Sequence, residues 1–142
     1  MIHRNSRLDD LHYGKYNGLG GKLDPMADVV TGMRREIYEE AGIEVQAMTL
    51  RGTVNWPGFG KNGEDWLGFI FLISSWSGTP YTTNVEGDLE WVSVERILSG
   101  DLKLWDSDRL WLPMVFEDTE HTFYGVAPYV DGELIGWSYS II

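Results

Sequence analysis

The segment 18–43 constrains this chain most, because it joins a glycine-rich turn to a segment with a helical pattern. Apolar residues recur there at three- and four-residue intervals, which predicts a helix over about 28–41 with one face in the core. The predicted core residues of this helix are Val30, Met33, Ile37 and Ala41. Asp28 is suited to cap its N-terminus, and Gly42 is suited to end it.

Three glutamates stand at positions i, i+3 and i+4 of the predicted helix, namely Glu36, Glu39 and Glu40. Their carboxylates share one face and repel each other unless a cation is present. Hard oxygen ligands of this kind suit Mg²⁺ and also Mn²⁺, which can neutralise the charge of a bound phosphate. The same pattern alone is also typical of a solvated acidic helix face.

The 142 residues, 43% of them hydrophobic, provide enough apolar material for one domain, and we predict a single domain over 1–142. Seven Trp, seven Tyr, five Phe and seventeen Gly favour a sheet-rich fold with tight turns over a helical bundle. Residues 1–6 are predicted to be the end of a strand, and further strands are predicted at about 43–55, 65–76 and 86–93. Short helices are predicted at 93–98 and 107–116, and a hairpin is predicted around Asp131-Gly132.

The formal net charge of -11 argues against a broad electrostatic grip on duplex nucleic acid, which depends on clustered Lys and Arg. The chain has no cysteine, so it can form neither a disulfide nor a thiolate metal site. No apolar stretch approaches the length of a membrane span, and the first residues lack an apolar signal core. We therefore expect a cytoplasmic protein that does not bind membranes.

The segment 21–43 resembles the signature of the Nudix hydrolase family, G-x5-E-x7-R-E-U-x-E-E-x-G-U, in which U is aliphatic. The matching positions are Gly21, Arg35, Glu36, Ile37, Glu39, Glu40, Gly42 and Ile43. The first glutamate of the signature is replaced by Ala27, and Asp24 and Asp28 lie nearby but out of register. The resemblance implies the Nudix fold, an α/β/α sandwich with a mixed β-sheet.

The resemblance also implies a metal site on the helix. Glu36, Glu39 and Glu40 would be ligands, and one of them would position or deprotonate the attacking water. Arg35 would orient a neighbouring carboxylate. The backbone carbonyl of Gly20 is a further candidate ligand, because a glycine-rich turn lets the main chain approach an ion closely.

Outside the signature, the chain is similar to the MutT-like branch of the family, which hydrolyses oxidised purine nucleotides. The similarity covers 16–22, 86–91, 105–113 and the hairpin after Phe123. It implies that Glu86 faces the metal and that Trp105 stacks on the base. Glu86 is otherwise a turn residue before a strand, and Trp105 a core or rim tryptophan.

The same similarity implies contacts with the nucleotide. Asn17 and Asp108 would hydrogen-bond the purine, since an amide and a carboxyl group together offer donors and acceptors to a base edge. Gly21 and Lys22 would bind the substrate, and Arg7 would touch its phosphates, although a lone Arg7 is also typical of an ordinary protein surface.

Three functions follow as hypotheses. The leading one is metal-dependent cleavage of a purine nucleoside triphosphate, oxidised or unmodified, to the monophosphate and pyrophosphate. The second is hydrolysis of another nucleoside diphosphate derivative by the same site. The third, motivated by Ala27, is a nucleotide-binding module with weakened catalysis.

The first strand is shorter than in the family, which normally has a full strand before a stretch such as Ile2-His3-Arg4. Part of the first strand would then be missing, and an unpaired strand edge favours pairing with another chain. We therefore expect a homodimer.

Overall fold

The computed structural model describes residues 1–142, which form ten strands and three helices. In chain order these are β1 (Ile2–His3), β2 (Tyr16–Asn17), α1 (Val29–Ala41), β3 (Glu44–Trp56), β4 (Trp66–Ser77), β5 (Thr83–Asn84), β6 (Gly87–Leu89), α2 (Val94–Ser99), α3 (Asp108–Phe116), β7 (Phe123–Val126), β8 (Tyr129–Val130), β9 (Glu133–Leu134) and β10 (Ser138–Ile141). They divide into two compact units. The first comprises Met1–Met48 and Ile73–Leu104, and the second Thr49–Leu72 and Trp105–Ile142.

Helix α1 of the first unit begins and ends as its sequence predicts. The Asp28 carboxylate accepts hydrogen bonds from the backbone N–H groups of Val30 and Thr31, which satisfies two donors of the first turn. Gly42 ends the helix in the left-handed conformation with φ of 70°. Gly32 is buried within α1, and a Cβ there would lie 2.6 Å from Leu23 Cδ1. The loop before the helix therefore packs closely on it.

The core of the first unit confirms most of the predicted helix face. Ile37 and Ala41 are buried together with Ile43 and Val45, and Met33 packs against this cluster. Val30 is 43% exposed, so its predicted place in the core is wrong. It lies in the first turn of α1, and it does not belong to the apolar cluster formed by the later turns.

A four-stranded sheet in the first unit has the order β2-β1-β6-β5. Strand β1 pairs antiparallel with β2 on one side and with β6 on the other. Strand β6 (Gly87–Leu89) is shorter than the strand predicted over 86–93. The two-residue strands β2 and β5 were not predicted. Strand β1 is not an edge of this sheet.

The second unit contains part of a sheet with the order β10-β7-β3-β4. Strand β7 pairs parallel with the end of β3 and antiparallel with β10, so this sheet is mixed as predicted. Val54, Val115, Phe123 and Ala127 form its core. The predicted hairpin forms between β8 and β9, with positive φ angles of 50° at Asp131 and 79° at Gly132. None of the helices is long and apolar enough to cross a membrane.

Candidate active site

Four carboxylates of the first unit line one pocket of about 400 Å³. We call Glu36, Glu39, Glu40 and Glu86 the carboxylate cluster. The first three lie on α1, and Glu86 lies in the turn between β5 and β6. The other residues that line the pocket are Tyr81, Thr83, Asn84 and Val85. The fold thus brings a carboxylate from a distant part of the chain to the acidic face of the helix.

Glu40 is fixed between the glycine-rich turn and Glu86. Its Oε2 accepts a hydrogen bond of 2.8 Å from the backbone N–H of Gly20. The pKa of Glu40 is raised to about 8, mainly by burial and also by the charge of Glu86, its hydrogen bond and the charge of Glu36, against the lowering effect of the Gly20 N–H. An added positive charge would therefore stabilise the carboxylates of the cluster in their ionised form.

Gly21 allows the glycine-rich turn to approach Glu36. A Cβ at Gly21 would lie 2.0 Å from Glu36 Oε2, so a side chain there would displace the carboxylate. The signature glycine is thus required by a close approach rather than by its backbone angle.

Arg35 forms ion pairs with three acidic side chains on and near α1. Its NH2 lies 2.6 Å from Glu36 Oε1, its NH1 lies 3.2 Å from Glu39 Oε2, and its Nε lies 3.4 Å from Asp24 Oδ2. NH2 also donates to the backbone carbonyl of Lys22 at 3.4 Å. Arg35 therefore contacts two members of the carboxylate cluster, in line with the orienting role that the sequence suggests.

The turn that carries Glu86 is held by a residue that sequence reasoning missed. The Asn84 side-chain oxygen accepts hydrogen bonds from the N–H groups of Glu86 and Gly87, and its amide donates to the backbone carbonyl of Glu40 at 3.1 Å. One side chain thus ties the turn to the end of α1. The sequence Asn84-Val85-Glu86-Gly87 has the composition of such a side-chain-stabilised turn, which was the available signal.

Arg4 is a second residue that the sequence did not single out. Its NH1 lies 3.4 Å from Glu86 Oε2, and its Nε lies 2.8 Å from Asp10 Oδ2. By contrast, Arg7, the cation named from the sequence, has an exposed side chain, and its carbonyl accepts a hydrogen bond from the N–H of Asp10.

The donor chemistry of the cluster fits a hard divalent cation, since carboxylate oxygens are the ligands that Mg²⁺ and Mn²⁺ prefer. The close approach of the Glu40 and Glu86 carboxyl groups supports this fit, because a cation bound between them would stabilise both in the ionised form. No group of three or more acidic or histidine side chains is already arranged to hold an ion. Arg35 pairs with Glu36 and Glu39, and a carboxylate can accept a hydrogen bond from Arg35 while another lone pair binds a metal ion.

Asn17 lies on β2 in the first unit, paired with Ile2 of β1. Its side-chain oxygen is buried and has no hydrogen-bond partner. An unsatisfied buried acceptor costs free energy unless a ligand or water binds to it, so this atom is suited to accept a hydrogen bond from a ligand.

Trp105 and Asp108 lie in the second unit at the start of α3. The ring of Trp105 meets Phe59 edge-on at 4.8 Å and Tyr129 at 5.9 Å. Burial raises the pKa of Asp108 to about 7, against the lowering effects of Trp111, the Ser107 hydroxyl and the charge of Arg109. The sequence did not single out Phe59, Ser107 or Tyr129, which surround the two predicted base-binding residues.

Ser107 is the centre of a small hydrogen-bond network in the second unit. It is 1% exposed, and its hydroxyl oxygen accepts from Trp56 Nε1 and from the Tyr129 hydroxyl, each at 3.1 Å. Its N–H donates to the Tyr129 hydroxyl at 3.1 Å. This network fixes the residue before Asp108, and so limits where the Asp108 carboxylate can point.

Comparison with known proteins gives one family. Residues 1–115 match the model of the NUDIX domain. The chain is 30% identical over 128 residues to the oxidized purine nucleoside triphosphate hydrolase of Mus musculus. This match covers 90% of this chain and 78% of that protein. It is 28% identical over 104 residues to the protein of the same name in Danio rerio, over 73% of this chain and 64% of that one.

A solved structure with the same fold is the crystal structure of a mutator MutT protein from Bacillus halodurans. The TM-score is 0.83 at 24% sequence identity, and the match covers 97% of this chain and 86% of the other. The mixed α/β fold predicted from the sequence is thereby confirmed as the Nudix fold.

Proposed function

The chain belongs to the Nudix family and is a MutT-like Nudix hydrolase, and from that premise we propose that it cleaves a purine nucleoside triphosphate to the monophosphate and pyrophosphate. Nudix hydrolases generally need divalent metal ions. The observation that best supports the proposal is the placement of Glu86 beside Glu40 in the pocket. A merely solvated acidic helix face would not need a further carboxylate from another turn in the same pocket.

We assign the metal ligands to Glu36, Glu39, Glu40 and Glu86, with the carbonyl of Gly20 as a further candidate. A divalent cation bound there would supply Lewis-acid stabilisation of the negative charge that develops on the phosphate oxygens. One of the helix carboxylates would position or deprotonate the attacking water. Arg35 would keep Glu36 and Glu39 oriented when the pocket is empty.

The purine specificity is proposed from the relatives and from three side chains. The relatives are named as hydrolases of oxidised purine nucleoside triphosphates. Asn17 offers a buried acceptor without a partner, and Asp108 and Trp105 offer a carboxyl group and a ring for base contacts. We also propose that Gly21, Lys22 and Arg7 contact the phosphates. Three further expectations remain predictions, namely the preference for magnesium, the cytoplasmic location and the homodimer.

The test is product analysis with Mg²⁺ and a panel of nucleoside triphosphates that includes 8-oxo-dGTP, 2-hydroxy-dATP and the unmodified purines and pyrimidines. We expect the monophosphate and pyrophosphate from purine substrates. Glu40→Gln should reduce the rate by at least about a hundredfold, because it removes a carboxylate from the proposed metal site. Glu95→Gln, at an exposed position of α2, is the matched control and should retain the wild-type rate.

Release of inorganic phosphate with the nucleoside diphosphate would contradict the proposed bond cleavage. Binding of the triphosphates without turnover would favour the weakened binding module that Ala27 suggests. Turnover of nucleotide sugars, dinucleoside polyphosphates or ADP-ribose in preference to triphosphates would favour another diphosphate substrate, since the metal site cannot distinguish them.

A further inference from the structure

Arg4 bridges two acidic residues of the first unit. Its guanidinium binds Asp10 through Nε at 2.8 Å and approaches Glu86 through NH1 at 3.4 Å. The side chains of Arg4 and Asp10 are only 13% and 6% exposed, so this is not a solvated surface pair. Because a guanidinium presents its donors in a rigid planar fork, the bond to Asp10 determines where NH1 points.

The position of Arg4 is fixed from several directions. Its backbone N–H donates to the carbonyl of Lys15 at 2.9 Å, and its own carbonyl accepts from the N–H of Gly14 at 2.7 Å. Asp10 is fixed in turn, because its Oδ1 accepts a hydrogen bond of 3.1 Å from the N–H of His12. Arg4 therefore meets Glu86 as a preorganised group rather than as a mobile surface cation.

Pairing between β1 and β6 brings Arg4 to Glu86. Arg4 directly follows the last residue of β1, and Glu86 directly precedes the first residue of β6. His3 of β1 pairs with Asp88 of β6. A Cβ at Gly87 would lie 1.8 Å from the carbonyl oxygen of His3, so the two strands could not approach this closely with any other residue there. The glycine thus makes the contact between Arg4 and Glu86 possible.

Glu86 is paired with a cation on the side of its carboxylate that Arg4 approaches. Asn84 fixes the backbone of its turn, but the Glu86 side chain faces Glu40, which carries a like charge when both are ionised. The Glu86 side chain is 29% exposed and could rotate towards solvent. The ion pair with Arg4 opposes this rotation, as does the hydrogen bond between the Glu86 and Glu40 side chains.

We propose that Arg4, held by Asp10, is a positioning residue that keeps the Glu86 carboxylate beside Glu40 and so completes the metal-binding set. The inference rests on the proposed function, because it takes the carboxylate cluster to be the metal site. Arg4 acts through Glu86 and contacts neither the phosphates nor the base. Partners of metal ligands generally affect metal affinity as well as activity.

Mn²⁺ binding to the nucleotide-free protein tests this directly, with free Mn²⁺ measured by electron paramagnetic resonance. Arg4→Lys keeps the charge but cannot bind Asp10 and Glu86 in the same fork. We expect it to raise the Kd for Mn²⁺ on the order of tenfold. In a Glu86→Gln background the same substitution should change the Kd no further, because its effect passes through Glu86. The matched control is Arg96→Lys, at an exposed arginine of α2, which should leave the Kd unchanged.

Steady-state kinetics separate positioning from substrate contact. If Arg4 instead contacts the phosphates, Arg4→Lys would raise KM for the triphosphate and leave the Mn²⁺ Kd at its wild-type value, and the inference would be wrong. An equal loss of Mn²⁺ affinity in the wild-type and Glu86→Gln backgrounds would also overturn it. Absence of Mn²⁺ binding by the wild-type protein would overturn the proposed function as well, which distinguishes the two failures.

Thermal unfolding of each variant shows whether the affinities refer to folded protein. Should Arg4→Lys unfold below the assay temperature, Asp10→Asn becomes the variant to measure, since it leaves Arg4 in place and retains an acceptor for the N–H of His12. A weaker Mn²⁺ affinity in folded Asp10→Asn supports the inference, and an unchanged affinity overturns it.

Discussion

A single arginine organises the acidic surroundings of α1, and this bears on the one departure from the family signature. Arg35 contacts Asp24 as well as Glu36 and Glu39. Ala27 has no carboxylate, but Asp24 supplies one that contacts Arg35. Asp28 does not, because its carboxylate caps the helix. At least part of the missing negative charge is thus supplied by a residue that lies out of register.

Asp108 should make the stability of the protein depend on pH. Its pKa is about 7 in the folded protein and roughly 4 in an unfolded chain. Between these values the folded state keeps a proton that the unfolded state has lost, so stability falls as pH rises from about 4 to about 7 and stays lowered above that. The full effect is on the order of 4 kcal/mol.

The Asp108→Asn variant removes this ionisation. We expect its free energy of unfolding in urea to exceed that of the wild type at pH 8 by a few kcal/mol at most, and by clearly less at pH 5, where only part of the loss has developed. Asp106→Asn, at an exposed position two residues earlier, is the control and should not change the difference between the two pH values. A variant no more stable than the wild type at pH 8 would contradict a buried carboxylate at this position.

The predictable part of the site is the part that lies close together in the chain. Glu36, Glu39 and Glu40 share a face because of helix geometry alone, so spacing was enough to find them. Arg4 and Asn84 contact the cluster only because β1, β5 and β6 pair, and neither residue belongs to a recognisable spacing. Their role depends on tertiary structure, which one sequence does not contain.

Elements with their own start and stop signals were predicted, whereas the two-residue strands β2 and β5, which have none, were not. Helix α1 has a capping aspartate and a terminal glycine, and the β8–β9 hairpin has Asp131-Gly132. Strands β2 and β5 exist only because partners lie beside them, since two residues cannot show an alternating pattern. Of the strand predicted over 86–93, only Gly87–Leu89 forms, and Trp91 beyond it is 77% exposed.

Strand β6 provides an element-scale prediction. Gly87→Ala places a methyl group within 1.8 Å of the His3 carbonyl oxygen and imposes a φ of 156° on a residue with a side chain. Pairing between β1 and β6 must shift, so we expect a loss of roughly 2 kcal/mol or more in the free energy of unfolding. Chemical denaturation measures this loss.

The matched control is Gly18→Ala, because a Cβ at Gly18 meets nothing within 4 Å. That variant should unfold within about 0.5 kcal/mol of the wild type. Equal stability of Gly87→Ala and Gly18→Ala would show that the close approach of β6 to β1 is not required.

On the scale of the whole molecule, the strand edges decide how a homodimer could form. Strand β1 is paired on both sides, so the open edge expected from its short length is not there. The edges of the second sheet are β10 and β4. All four residues of β10 are exposed, including Tyr139 at 52% and Ile141 at 43%. An exposed edge strand with apolar side chains favours pairing with a second copy.

We therefore predict that the homodimer pairs through β10, opposed by the net charge of -11 on each copy. Because salt screens this repulsion, the dimer fraction should rise with NaCl in sedimentation velocity at micromolar concentration. Ile141→Lys places a charge on the edge strand and should shift the protein to monomer, whereas Ile135→Lys, also exposed but outside β10, should not. A wild-type monomer at every salt concentration would contradict the homodimer, and equal effects of the two lysines would contradict the edge strand as its interface.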